Sequence, residues 1–79
     1  MKYVQQEAAT LIVDGRASAL FIGKSTYERP TTVRVAPSVI VSQGQDPNNI
    51  PIGTGSACYK MDTKEVDMFD AETQTWTTQ

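Results

Sequence analysis

The fold is decided by the C-terminal stretch Ser56–Thr78, which reads SACYKMDTKEVDMFDAETQTWTT. Three segments in it are rich in strand-forming residues: Ser56–Met61, Val66–Phe69 and Thr75–Thr78. Two groups of turn-forming residues separate them, Asp62–Glu65 and Asp70–Gln74. Connections this short join neighbouring antiparallel strands, so the stretch predicts a three-stranded β-meander.

Alternation along these strands predicts which side chains form the core. Successive side chains point to opposite faces, which puts Tyr59 with Met61 on one face and Val66 with Met68 on one face of the next strand. The full set of core or interface candidates is Tyr59, Met61, Val66, Met68, Phe69 and Trp76. Because truncating a buried aromatic residue is costly, Trp76→Ala is predicted to be the most damaging single change.

The chain as a whole is predicted to be one small domain, residues 1–79, of the mainly β class. Residues 1–42 supply N-terminal strands, residues 43–55 collect turn-forming residues and predict a long surface loop, and residues 56–79 hold the meander. The expected architecture is a small antiparallel sheet or barrel-like domain. Gln5–Val13 is open to two interpretations, a short N-terminal helix or a strand.

The N-terminal strands are indicated by local patterns. The dipeptide Asp14-Gly15 tolerates positive φ and predicts a hairpin between Leu11–Val13 and Ala17–Ile22. Further along, Thr31–Val35 and Val39–Val41 indicate two strands, or one strand broken at the intervening proline.

Composition argues against catalysis and against bound metals. The chain has no histidine and one cysteine, Cys58, so it lacks the commonest general base and the usual zinc ligands, and it cannot form an intramolecular disulfide. Cys58 is interpreted as a buried or half-buried inert thiol. We therefore predict a protein that is not an enzyme, with no catalytic residue, cofactor, metal site or small-molecule substrate.

The carboxylates of the meander have their own interpretation. Asp62, Glu65, Asp67 and Asp70 lie close together, but their spacing is not that of a calcium-binding loop. They are interpreted as residues of turns and of a solvated face.

Charge and hydropathy exclude two classes of partner. The net charge of −2 gives no basic surface for nucleic acid, and no apolar run approaches the ~20 residues that a membrane-spanning helix needs. The first residues lack the pattern of a signal peptide. These features predict synthesis in a reducing cytoplasm, with neither nucleic acid nor membrane as a partner.

Two parts of the chain resemble small structural proteins of bacteriophages and prophages. Gly55–Asp70 with Thr75-Trp76 is similar to the closing hairpins of that group, in which Gly-Ser, an aromatic residue, Met-Asp-Thr and a late Thr-Trp recur. Leu20–Thr26 followed by Arg29-Pro30 is similar to its N-terminal half. The resemblance implies a virion component that is synthesised in the host cytoplasm and assembled into the particle.

This chain departs from the pattern at two places. The turn glycine favoured by the group is missing at Lys64-Glu65, which weakens the expectation of a glycine-bulge turn. Asp67 stands where an aromatic residue is usual, which suggests that the face of this hairpin that carries Asp67 is solvated or contacts something polar.

Two functions follow as hypotheses. The first is a non-catalytic virion protein, in capsid decoration, the head–tail junction or the tail, that assembles with copies of itself, a major virion protein, or both. Oligomerisation is expected because so small a domain has neither a disulfide nor a metal to stabilise it. The alternative is a small β module that binds a carbohydrate or a host protein.

Overall fold

Seven strands and no helix make up the computed structural model, which describes residues 1–79. The strands are β1 (Val4–Gln5), β2 (Leu20–Gly23), β3 (Thr32–Val33), β4 (Ile50–Pro51), β5 (Ala57–Lys60), β6 (Glu65–Asp70) and β7 (Thr75–Thr78). The prediction of a mainly β domain is confirmed. Residues 5–13 contain no helix, so of the two interpretations of that segment the helical one is wrong.

The strands form a five-stranded sheet in the order β1-β2-β5-β6-β7 and a separate two-stranded sheet of β3 and β4. All neighbouring pairs are antiparallel except β2 and β5, which are parallel. A parallel pair needs a long crossover, and residues 24–56, which carry the small sheet, provide it. The expected sheet was antiparallel throughout, so this one pairing is a difference.

The C-terminal meander forms as predicted. Tyr59 lies opposite Val66 in β5 and β6, and Phe69 lies opposite Trp76 in β6 and β7. Lys64 has a φ of 59°, so the first turn keeps a left-handed residue although it lacks glycine. A non-glycine residue there costs roughly 1–2 kcal/mol.

The N-terminal predictions hold only in part. Asp14 and Gly15 both have positive φ, 53° and 74°, and close a tight turn whose flanks pair through the single bridge of Val13 with Arg16. The flanking segments do not extend into a full hairpin. Residues 39–41 form no strand, and β3 covers only part of the predicted segment 31–35.

The predicted surface loop, residues 43–55, is wrong at its centre. Ile50 and Ile52 are buried there, at 0% and 3% exposure. The sequence Ile-Pro-Ile alternates, so both isoleucines point the same way and pack into the core while β4 pairs with β3. The turn-forming residues on either side make this short strand look like part of a loop in the sequence.

The hydrophobic core draws on both sheets and on the N-terminal segment. Its buried members are Tyr3, Ala9, Ala17, Phe21, Val33, Val35, Ile50, Ile52, Cys58 and Phe69. Gly23 in β2 admits this packing, because a Cβ there would lie 2.7 Å from the Tyr3 ring and 2.9 Å from the Tyr27 ring. Those two rings meet edge to face at 5.9 Å.

Candidate functional site

The five-stranded sheet has an inner face that packs on the core and an outer face that nothing in the chain covers. Two rows of side chains cross the outer face. One row runs Val4, Ile22, Tyr59 and Val66 over four strands, and the other runs Leu20, Ala57, Met68 and Thr77. Apart from Tyr59 and Thr77 these side chains are entirely apolar, and Tyr59 adds an aromatic ring.

No residue in either row is buried. Val4 is 63% exposed, Leu20 49% and Met68 36%, and Thr77 is exposed as well. The other members of the two rows are half-buried. Met61, at 58% exposure, continues the surface at the end of β5. Large continuous apolar patches are uncommon on monomeric proteins, and they commonly mark sites of protein contact. We call these two rows with Met61 the outer face.

The inner face holds a buried charge cluster centred on Asp67. One oxygen of its carboxylate, Oδ2, accepts a hydrogen bond from Arg29 Nε at 2.7 Å. The other, Oδ1, accepts one from Thr78 Oγ1 at 2.7 Å and lies 3.1 Å from Lys60 Nζ. Asp67 and Lys60 are 3% and 6% exposed, and every buried side-chain nitrogen and oxygen has a partner. The cluster joins three strands of the sheet to the segment that carries Arg29.

This cluster corrects the interpretation of Asp67 as a residue of the solvated face. Burial alone would raise the pKa of Asp67, but hydrogen bonds from Thr78, Lys60 and Arg29 outweigh burial and hold that pKa below its usual value. The hydrogen bond to Asp67 likewise raises the pKa of Lys60. Asp67 is therefore ionised at neutral pH and contacts polar groups of its own chain. The other carboxylates behave differently, since Asp62, for example, is exposed and binds the Ser25 hydroxyl.

The six core candidates are divided between the two faces. Phe69 is buried at 7% exposure, and its ring centroid lies 5.1 Å from that of Trp76, which is half-buried on the same inner face. The remaining four, Tyr59, Met61, Val66 and Met68, lie on the outer face. The prediction of Met61 and Met68 as core residues is wrong, because the opposite set of side chains faces the core. Their role at an interface stays a prediction.

Five outer-face residues are not among the candidates: Ala57 and Thr77 within the meander, and Val4, Leu20 and Ile22 outside it. The last three are the ones that a local pattern does not place. Only the long-range pairing of β2 with β5 brings them beside the meander, and a local pattern does not show that pairing. The alternation of Leu20 with Ile22 was the one available signal. Arg29 was missed as well, although an aspartate within an apolar strand implies a cationic partner.

Cys58 lies on the inner face between Phe21 and Asp67 in the strand register. It is fully buried, and burial raises the pKa of its thiol to about 12. The thiol is therefore protonated and shielded at neutral pH, as expected for an inert cysteine. No group of three or more cysteine, aspartate or glutamate side chains is arranged to hold a metal ion.

We predict that Cys58 reacts with a thiol reagent only when the protein unfolds, because reaction needs an accessible thiolate. Ellman's reagent should label the native protein slowly and the denatured protein at once. A variant with an added exposed cysteine, Thr10→Cys, serves as the fast control. Rapid labelling of the unaltered native protein would show that Cys58 is exposed.

The remaining surface features are shallow. The depressions around the sheet are open to solvent, and one of about 400 Å³ is lined by Lys2, Glu28, Arg29 and Arg34 among others. The structure contains no helix that could cross a lipid bilayer.

Searches of protein-family models, curated proteins and solved structures find no match to this chain.

Proposed function

We propose that this chain is a non-catalytic structural protein of a bacteriophage particle and that it acts by protein–protein assembly. Capsid decoration, the head–tail junction and a tail accessory position are the roles it fits. Its partners are other copies of itself, a major virion protein, or both. The observation that carries the proposal is the outer face, which leaves apolar side chains of four strands uncovered in a domain of 79 residues.

The energetics of a small domain support assembly. Fifteen of the 79 residues are buried, so the core is small, and no disulfide adds to its stability. Burying apolar surface stabilises a protein by roughly 25 cal/mol per Å². A partner on the outer face would therefore stabilise the folded state as well as hold the protein in place.

The phage setting rests on the sequence. Leu20–Thr26 and Gly55–Asp70, the segments that resemble phage proteins, supply β2, β5 and β6. These are the three central strands of the large sheet. The resemblance thus falls on the part of the chain that presents the outer face.

The test is incorporation into particles. Leu20→Lys and Met68→Lys each place a charge within the outer face, and we expect both to reduce the amount of this chain in purified particles by tenfold or more, roughly the effect of losing 1.4 kcal/mol of binding free energy. Quantitative mass spectrometry of the particles measures this. Both positions are exposed already, so the unfolding midpoint of the isolated chain should change little.

The matched control is Ile40→Lys. Ile40 is 93% exposed and lies outside both sheets, so its replacement by lysine introduces the same charge away from the outer face. This variant should be incorporated normally. If the unaltered chain is absent from particles, the proposal is wrong, and binding of a carbohydrate or a host protein becomes the hypothesis to test.

A further inference from the structure

The two edges of the five-stranded sheet differ in how they are protected. At the β1 edge the side chain of Gln5 closes the strand: its Oε1 accepts a hydrogen bond from the Arg34 N–H at 2.9 Å, and its Nε2 donates to the Arg34 carbonyl at 2.8 Å. The β7 edge has no such cover. It is formed by Thr75-Trp76-Thr77-Thr78, which contains no charge, proline or glycine. Charges and prolines are the usual protection of an edge strand.

The pairing of β6 with β7 shows which backbone groups of this edge are free. The Gln79 N–H donates to the Val66 carbonyl at 2.8 Å. Hydrogen-bonded pairs alternate along an antiparallel ladder, so Thr77 and Thr75 also bond to β6. Trp76 and Thr78 therefore direct their N–H and C=O groups away from the sheet.

We propose that β7 pairs with β7 of a second copy of this chain, antiparallel, about a twofold axis at Thr77. In that register Trp76 of each copy lies opposite Thr78 of the other, and about four hydrogen bonds form, since each free N–H meets a free C=O. Thr77 lies opposite its own copy, and threonine pairs across strands are favourable. The result is a continuous sheet of ten strands with the outer faces of both copies side by side.

Two features favour a second copy as the partner. The free N–H and C=O groups of one β7 match those of another β7, and the strand carries no charge. Neither strand brings a charged residue into the contact, so two copies meet without repulsion despite a net charge of −2 each. Trp76 is half-buried at the edge, and the exposed part of its ring would be covered by Thr78 of the other copy. Because β7 carries no charge, this edge does not require a charged partner.

The expected contact is weak in dilute solution. An edge roughly 13 Å long and 10 Å deep falls well below the ~800 Å² per partner of a standard interface. The inference therefore rests on the proposed assembly function, because copies concentrated on a particle would pair where free copies seldom do.

Disulfide trapping tests the register. Paired residues at the twofold axis have Cα atoms ~4.5 Å apart, within the range of a disulfide, so T77C should form covalent dimers under mild oxidation at least about tenfold faster than T75C. T75C is the matched control: it changes the same residue type on the same face, but in this register its two copies lie roughly 13 Å apart. The native Cys58 is buried and should not compete.

A second pair of variants uses charge. T77K places two like charges at the axis, whereas T75K does not, and both positions are exposed. By light scattering at high concentration, the unaltered chain and T75K should approach twice the 8.7 kDa chain mass, and T77K should stay monomeric. Their unfolding midpoints, measured at low concentration, should agree.

Three results would overturn the pairing: equal or reversed trapping rates, an unaltered chain that is monomeric at every concentration, or cross-linking of T77C within particles to a different protein. Particle incorporation is a separate measurement. A chain that enters particles but fails the trapping test contradicts the strand pairing alone, and a chain that dimerises but never enters particles contradicts the phage role alone.

Discussion

Asp67→Ala is expected to remove a large share of the stability of the isolated protein. Removing the acidic member of a buried ion pair leaves its cationic partners without compensation, which costs ~3–5 kcal/mol. A domain of this length is stabilised by roughly 4–12 kcal/mol in total, at ~0.05–0.15 kcal/mol per residue. Denaturant titration followed by circular dichroism should show a large drop in the midpoint, or no folded baseline.

Two controls separate the charge cluster from general damage. Glu65 also contacts Lys60, at 3.5 Å, but its side chain is 49% exposed, so Glu65→Ala should cost no more than about 1 kcal/mol. Replacing Arg29, Lys60 and Asp67 together by apolar residues of similar size should recover most of the stability that Asp67→Ala removes. An Asp67→Ala variant as stable as Glu65→Ala would show that the cluster contributes little.

The same cluster sets the direction of the acid response. The pKa of Asp67 is lowered in the folded protein, so its stabilising effect is complete above the unfolded value of ~3.9 and is lost as the pH falls through the folded pKa. The unfolding free energy should therefore decline below about pH 4. The part of this decline that belongs to Asp67 should be missing from the apolar triple variant.

The alkaline response has the opposite sign. The pKa of Cys58 is raised to about 12, so the buried neutral thiol contributes stability that is complete below the pKa of an unfolded thiol, ~8.5, and declines as the pH rises from there. Lys60, whose pKa is also raised, acts in the same direction.

The meander could be predicted because its information is local. The turn-forming groups 62–65 and 70–74 bound the strands, and β5, β6 and β7 lie within a residue or two of the predicted limits. The choice of face could not be predicted in the same way. Alternation divides side chains into two sets, and the set that contains Lys60 and Asp67 looks like the solvated one until Arg29 is brought to it from the N-terminal half.

The missed pairings are those between residues distant in sequence. β2 joins β5, and β3 joins β4, across segments with no shared local signal. Once β2 lies beside β5, Ile22 extends the row of Tyr59, Leu20 extends the row of Met68, and the outer face exists. The candidate site is therefore a product of the topology, and only its β5 and β6 parts were accessible from the sequence.

Phe21→Ala is expected to destabilise the protein more than Trp76→Ala, which reverses the ranking predicted from the sequence. Phe21 is 3% exposed and lies in β2, between β1 and β5, where its ring packs within the core cluster. Truncating a buried phenylalanine to alanine costs ~3–5 kcal/mol, through lost burial and the cavity left behind. Trp76 is half-buried on the edge strand β7, so its truncation loses less buried surface and leaves a site open to solvent.

The comparison is made on unfolding midpoints at low protein concentration, where strand pairing between copies does not contribute. Phe21→Leu is the matched control, since it keeps most of the apolar volume and should recover more than half of the loss. At high concentration Trp76→Ala should show an additional loss of dimer that Phe21→Leu lacks, because only Trp76 lies at the β7 edge. A Trp76→Ala variant that unfolds more readily than Phe21→Ala at low concentration would place the centre of stability in the meander and contradict the ranking.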